Sequence, residues 1–169
     1  SANTPRCHLL PCCPFWLEGA GASALLLTTS LKIRMTPIQT PTRVLMVCMG
    51  NICRSPTAQG VLEHLLQQSG WQQHMAVDSA GTHSYHIGHA PDARSQQHAL
   101  ARGYDLSAQR ARQLQLQDFA DFDWILVMDA GNERLALERC PPQHQHKVRR
   151  LAAFCQTQTA HEVPDPYYG

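Results

Sequence analysis

Val44-Leu45-Met46-Val47-Cys48-Met49-Gly50-Asn51-Ile52-Cys53-Arg54-Ser55-Pro56 is the stretch that decides the fold class of this chain. Its first four residues are an unbroken apolar run, the composition of a parallel strand covered on both faces. Ser55-Pro56 is a helix start, with Pro at the first helical position, where its missing N–H does no harm. A short loop with Gly and Asn joins the two. Strand, loop and helix in this order put the loop at the carboxyl end of a strand, where open α/β sheets bind ligands.

Five residues separate Cys48 from Arg54. A loop of that length can curl so that its backbone N–H groups converge on one anion. The helix behind it adds the positive end of its dipole. Gly50 supplies backbone freedom, and Asn51 is among the few residues that tolerate left-handed geometry. Arg54 offers a planar fork to two non-bridging phosphate oxygens. The same field favours thiolate over thiol at Cys48, and Ser55 has a hydroxyl to donate to that sulfur. Met49, Gly50, Asn51, Ile52, Cys53 and Ser55 therefore read as a loop that binds phosphate or another oxyanion, with Cys48 as nucleophile and Arg54 as its electrostatic partner. No metal or other cofactor is expected, because Arg54 and the loop amides take the charge role of a metal.

The segments on either side continue the alternation. Ala58, Val61, Leu62, Leu65 and Leu66 form a helical apolar stripe that stops at Gly70. Met75–Ser79 reads as a second strand, 81–91 as loop, and Asp92 as the cap of a helix that runs to Leu100 and ends at Gly103. Gln113–Phe119 reads as a short helix, Trp124–Met128 as the third strand, Asn132–Arg139 as a helix stopped by Cys140-Pro141-Pro142, and Val148–Leu151 as a weaker fourth strand. Strands alternating with helices at this spacing imply βαβ units with a parallel sheet.

The bulk properties exclude other classes. The chain has 169 residues and a formal net charge of +1, with 14 basic against 13 acidic residues, so it lacks the basic excess of a nucleic-acid binder. No apolar run approaches the roughly 18 residues of a membrane span. Of the seven cysteines, three lie within the first 13 residues, and Cys48, Cys53, Cys140 and Cys155 do not form a zinc pattern. Reactive thiols in a reducing compartment, the cytoplasm, suit them better than a secreted disulfide scaffold. Cys140 and Cys155 read as structural. Residues 1–42 break any periodicity with Pro5, Pro11, Pro14, Gly19 and Gly21, and read as an N-terminal extension to a catalytic domain spanning 43–169, with Met35 the expected natural start. His83, His86 and His89 recur every third residue but sit in a Gly- and Pro-containing loop, and read as solvated rather than as metal ligands. Arg110, Arg112, Arg139, Arg149 and Arg150 read as solvated faces.

With these motifs in hand, the chain resembles the low-molecular-weight protein tyrosine phosphatases. Val44 to Gly60 matches that family's signature. Asp78-Ser79-Ala80-Gly81-Thr82, Asp92-Ala93-Arg94, Ser107 to Gln113, Val127-Met128-Asp129 and Asp165-Pro166-Tyr167-Tyr168 follow in the family's order. The resemblance implies a four-stranded parallel sheet flanked by helices and hydrolysis of phosphotyrosine in protein substrates. It puts the nucleophile on Cys48, the phosphate arginine on Arg54, the general acid on Asp165, and supporting roles on Asn51, Ser55 and Ser79. It also puts an aromatic substrate wall on Tyr85, Tyr167 and Tyr168, and a reversible disulfide partner for Cys48 on Cys53. Taken alone, Asp165-Pro166 is only a turn signal, and the two tyrosines after it suit ordinary packing as well as ring binding.

The resemblance also shows two departures. Gln109 stands where many relatives have a His that braces the phosphate loop, and the sequence stops after Gly169 where relatives usually continue into a last helix, so the domain reads as C-terminally incomplete. Three other readings meet obstacles. A thiol-dependent arsenate reductase needs further cysteines in a mobile segment, and Ser79 to Met128 contains none. A phosphoarginine phosphatase tends to carry Thr where this chain has Ile52. A non-catalytic phosphotyrosine-binding module has no need of Cys48, Arg54 and Asp165 together.

Overall fold

A computed structural model describes residues 40–156 and 161–166. Most of the expected N-terminal extension, and the expected substrate-wall residues Tyr167 and Tyr168, lie outside the described residues. Four strands form one parallel sheet: β1 (Thr42–Cys48), β2 (Met75–Gly81), β3 (Trp124–Val127) and β4 (Val148–Arg150), in the order β2-β1-β3-β4. The helices are α1 (Arg54–Ser69), α2 (Ala93–Leu100), α3 (Asp118–Asp121) and α4 (Ala130–Arg139). Among the described residues no helix is long and apolar enough to cross a membrane.

The apolar run in β1 is explained by its central place. Leu45 and Val47 point into one core with Phe119, Phe122, Ile125, Ala136 and Val148, while Val44, Met46 and Cys48 point into the opposite one against Ala58 and Leu62 of α1. Successive side chains alternate across the sheet, so a strand buried on both faces has no polar position. β1 pairs with β2 from Thr42↔Met75 to Cys48↔Gly81, and with β3 from Val44↔Trp124 to Val47↔Val127. The chain leaves β1 toward β2 on one side and later returns as β3 on the other. The carboxyl ends of β1 and β3 thus flank a topological switch point, the expected ligand crevice.

Helix boundaries follow their caps. α1 ends at Gly70, whose φ of 73° lets its N–H reach back to the last turn. Leu65 of the expected stripe is 49% exposed, so the buried stripe is narrower than the sequence suggests. Asp92 caps α2 by accepting the N–H groups of Arg94 and Ser95. α4 starts earlier than expected, because Asp129 accepts the Asn132 N–H at 2.7 Å and makes Ala130 the first helical residue. The expected helix over Gln113–Phe119 is reduced to Asp118–Asp121. Gln113 instead bridges to Gly81, with the Gly81 N–H donating to the Arg112 carbonyl and the Leu114 N–H to the Gly81 carbonyl, each at 2.8 Å. Backbone groups used to extend the end of β2 are not available to close a helical turn.

Candidate active site

The loop after β1 is held from outside by its carbonyls. Those of Cys48, Met49 and Ile52 accept the N–H groups of Thr82, His83 and Asp92 at 2.8–3.0 Å. All described peptide bonds are trans. In a trans peptide the N–H opposes the carbonyl, so the N–H groups of Met49, Gly50 and Cys53 face away from that outer wall, toward the concave side. The Asn51 N–H reaches the Cys48 Sγ at 3.3 Å. This requires Asn51 to adopt φ 55°, and it is the only non-glycine residue with positive φ among those described. The outer wall can come this close because β2 ends on glycine: a Cβ on Gly81 would lie 2.7 Å from the Met49 carbonyl oxygen.

Asn51 is fixed in that strained conformation by three side-chain bonds. Its Nδ2 donates to Ser55 Oγ and to Ser79 Oγ, both at 2.9 Å, and its Oδ1 accepts the Arg112 N–H at 2.9 Å. Ser79 in turn donates to Gln59 Oε1 at 2.7 Å. Ser55 is fully buried, with its Oγ 3.0 Å from the Cys48 Sγ. Gln109 does not take part in this brace: its Nε2 donates to the Pro56 carbonyl at 3.1 Å, and its buried Oε1 has no partner among the described residues. Gln59 and the backbone of Arg112 brace the loop instead. Arg112 is itself held rather than solvated, by Asp78 at 2.8 Å and Asp118 at 2.9 Å. Burial works against its charge, but these two carboxylates outweigh it and raise its pKa. Arg150 is likewise ion-paired, with Glu133 at 2.7 Å.

Arg54 opens α1, its side chain only 5% exposed. Its Nη1 donates to Asp129 Oδ2 at 2.5 Å and to the Val163 carbonyl at 3.1 Å, and its Nη2 donates to Asp165 Oδ2 at 2.7 Å. Asp165 arrives there because the Val163 N–H donates to the Met128 carbonyl at 2.8 Å, docking the segment 161–166 beyond the end of β3. Asp129 is the site residue to which sequence reasoning assigned no role. Its position directly after β3, beside β1, was the available signal, but only the strand order turns that position toward Arg54.

Cys48, Met49, Gly50, Ile52, Cys53, Arg54, Tyr85, His86 and Asp165 line one cleft of about 280 Å³. Tyr85 is 72% exposed at its mouth and stacks on His83. His86 was expected to be solvated but leans over the loop: its Cδ2 would lie 2.9 Å from a Cβ on Gly50. Cys48 and Cys53 are both free thiols. Burial raises the Cys53 pKa, the nearby Asp92, Cys48 and Asp165 raise it further, and a hydrogen bond with Ser95 partly offsets both effects.

The family profile described as low molecular weight phosphotyrosine protein phosphatase matches residues 43–169. The chain belongs to this family. It is 41% identical over 129 residues to the human low molecular weight phosphotyrosine protein phosphatase, covering 75% of this chain and 80% of that protein. It is 36% identical over 125 residues to the low molecular weight protein-tyrosine-phosphatase YfkJ of Bacillus subtilis, covering 74% and 80%. Among solved structures, a protein tyrosine phosphatase of Entamoeba histolytica with Hepes in its active site superposes with a TM-score of 0.73 at 41% identity, covering 76% of this chain and 81% of the other. This low molecular weight phosphatase therefore shares both sequence and sheet architecture with its relatives across the whole of the described domain.

Proposed function

We propose that the unit spanning 43–169 hydrolyses phosphotyrosine in proteins through a cysteinyl-phosphate intermediate, in the cytoplasm. One observation carries the reading: a buried sulfur at the end of β1 accepts the Asn51 N–H and lies beside Ser55 Oγ, in the same cleft as Arg54 and Asp165. The Cys48 thiolate attacks phosphorus, forming the S–P bond as the bond from phosphorus to the phenolic oxygen breaks. Arg54 and the loop N–H groups hold the equatorial oxygens. Asp165 gives its proton to the departing phenolate. As a carboxylate it then takes a proton from the water that displaces sulfur and releases inorganic phosphate. Ser55 donates its hydroxyl to the departing sulfur. Ile52 and Tyr85, with Tyr167 and Tyr168, supply apolar and aromatic surface for the phenyl ring.

The test is turnover of aryl phosphates in the presence of a chelator, with Asp165→Asn alongside the parent chain. The parent is expected to keep full activity. Asp165→Asn is expected to lose roughly 10²–10⁴-fold on phosphotyrosine, whose phenolate leaves poorly, and little on a nitrophenyl or dinitrophenyl ester. Equal losses across the leaving groups would remove Asp165 from the acid role.

The same reading makes the site redox-regulated. Peroxide oxidises Cys48 to the sulfenic acid, and Cys53 condenses with it to a disulfide with loss of water, which thiols reduce again. The raised pKa keeps Cys53 a thiol at neutral pH, so closure is expected to speed up as pH rises through the alkaline range. Peroxide-treated parent recovers activity in dithiothreitol, while Cys53→Ser does not. Equal recovery of the two would rule out Cys53 as the resolving thiol.

A further inference from the structure

A second groove, of about 410 Å³, lies between α1 and α2 and shares the Cys53 wall with the catalytic cleft. At that shared end it also includes Pro166, the residue after Asp165. Its floor is apolar, with Val61 from α1 and buried Ala99 from α2. Its rim is cationic. Arg94 is 70% exposed at the side chain, Arg102 is exposed with one Nη donating to the His98 carbonyl, and His98 lies between them on α2. Among the described residues Asp92 is the one carboxylate lining the groove, and its Oδ1 is already engaged by the N–H groups of Arg94 and Ser95 and lies 3.5 Å from Arg94 Nε. Two arginines against one occupied carboxylate leave the rim positive, on a chain whose overall charge is only +1.

We infer that this groove is a subsite for a glutamate of the substrate peptide, within a few residues of the phosphotyrosine. This rests on the proposed phosphotyrosine activity. The methylenes of a glutamate fit the apolar floor and its carboxylate reaches the Arg94 and Arg102 rim, while the phosphorylated side chain occupies the adjoining cleft. An extended peptide advances about 3.3 Å per residue, so a flanking side chain, not a distant one, spans two clefts that share a wall. The groove recognises an anionic neighbour, and a lysine or arginine at the same peptide position is repelled.

The test is a set of phosphopeptides in which one glutamate is moved along both flanks of the phosphotyrosine, each compared with its glutamine counterpart by kcat/KM. One or two positions on a single flank are expected to favour glutamate about three- to tenfold, the range that two exposed ion pairs supply. That ratio is expected to shrink toward one in 0.5 M salt and in the Arg94→Gln, Arg102→Gln double variant. A flat scan, or a preference that persists undiminished in the double variant, overturns the subsite. Because the ratio is internal to each enzyme, a general loss of activity does not mimic the result. Hydrolysis of a small aryl phosphate in the same samples separates the two ideas. If it is absent from the parent, the phosphatase reading fails; if it is present beside a flat scan, only the subsite fails.

Discussion

Cys48→Ser is expected to reduce turnover of every aryl phosphate by at least about 10⁴-fold while leaving inorganic phosphate bound. Cys48 is 3% exposed, and a hydroxyl in place of its thiol meets the same neighbours, Ser55 Oγ and the Asn51 N–H. The loop should therefore keep its shape, and Arg54 and the loop amides keep their hold on an anion. What is lost is reactivity. Among the described residues the groups that hydrogen-bond the Cys48 Sγ are Ser55 Oγ and the Asn51 N–H, neither of them a base, and a serine hydroxyl placed there is a far weaker acid than a thiol. Paired measurements decide the matter: steady-state turnover, and phosphate affinity by titration calorimetry. A variant that keeps turnover within tenfold of the parent would show that another group attacks phosphorus. A variant that loses phosphate binding as well would show that the sulfur holds the loop open.

Where each contact lies along the chain explains which parts of this site were legible in the sequence. Cys48, the loop and Arg54 are contiguous, and their surroundings are set by local rules: a strand buried on both faces, a residue that accepts positive φ, a helix N-terminus. Caps are also local, and Asp92 was legible for that reason. The brace was not. Asn51 is held by Ser79, 28 residues on, and by the backbone of Arg112, 61 residues on. Those contacts exist only because Met46 pairs with Ser79 and because the chain after Ala111 extends the end of β2 instead of coiling into a helix. Arg112 looked like any surface arginine because its two carboxylates come from β2 and α3. Gln109 illustrates the converse: its position suggested the brace, but the side chain turns to Pro56 and the loop is supported without it. Asp129 required the strand order itself, since a carboxylate after β3 faces Arg54 only when β3 lies next to β1.

Arg54→Lys is expected to lower kcat/KM on the order of 10³–10⁴-fold, with both kcat and KM affected. The guanidinium is gripped at both ends, Nη1 by Asp129 and Nη2 by Asp165, so its plane is fixed before substrate arrives. That preorganisation lets it present a fork to the phosphoryl oxygens without reorienting during the reaction. A lysine ammonium is a point charge with no fork. It cannot serve Asp129 and two phosphoryl oxygens from one nitrogen, so the Asp129 carboxylate is left facing the incoming dianion. Asp129→Asn separates the two contributions. Its amide oxygen can still cap α4, and Arg54 keeps its charge and its bond to the Val163 carbonyl but loses the carboxylate on Nη1, so a much smaller loss confined mainly to kcat is expected. If Arg54→Lys stays within tenfold of the parent, the guanidinium is a structural link between the α1 and α4 ends of the site, and the loop amides alone carry the phosphoryl charge. If Asp129→Asn is as severe as Arg54→Lys, the tie from β3 matters as much as the fork, and the residue least visible in the sequence sets the geometry of the most visible one.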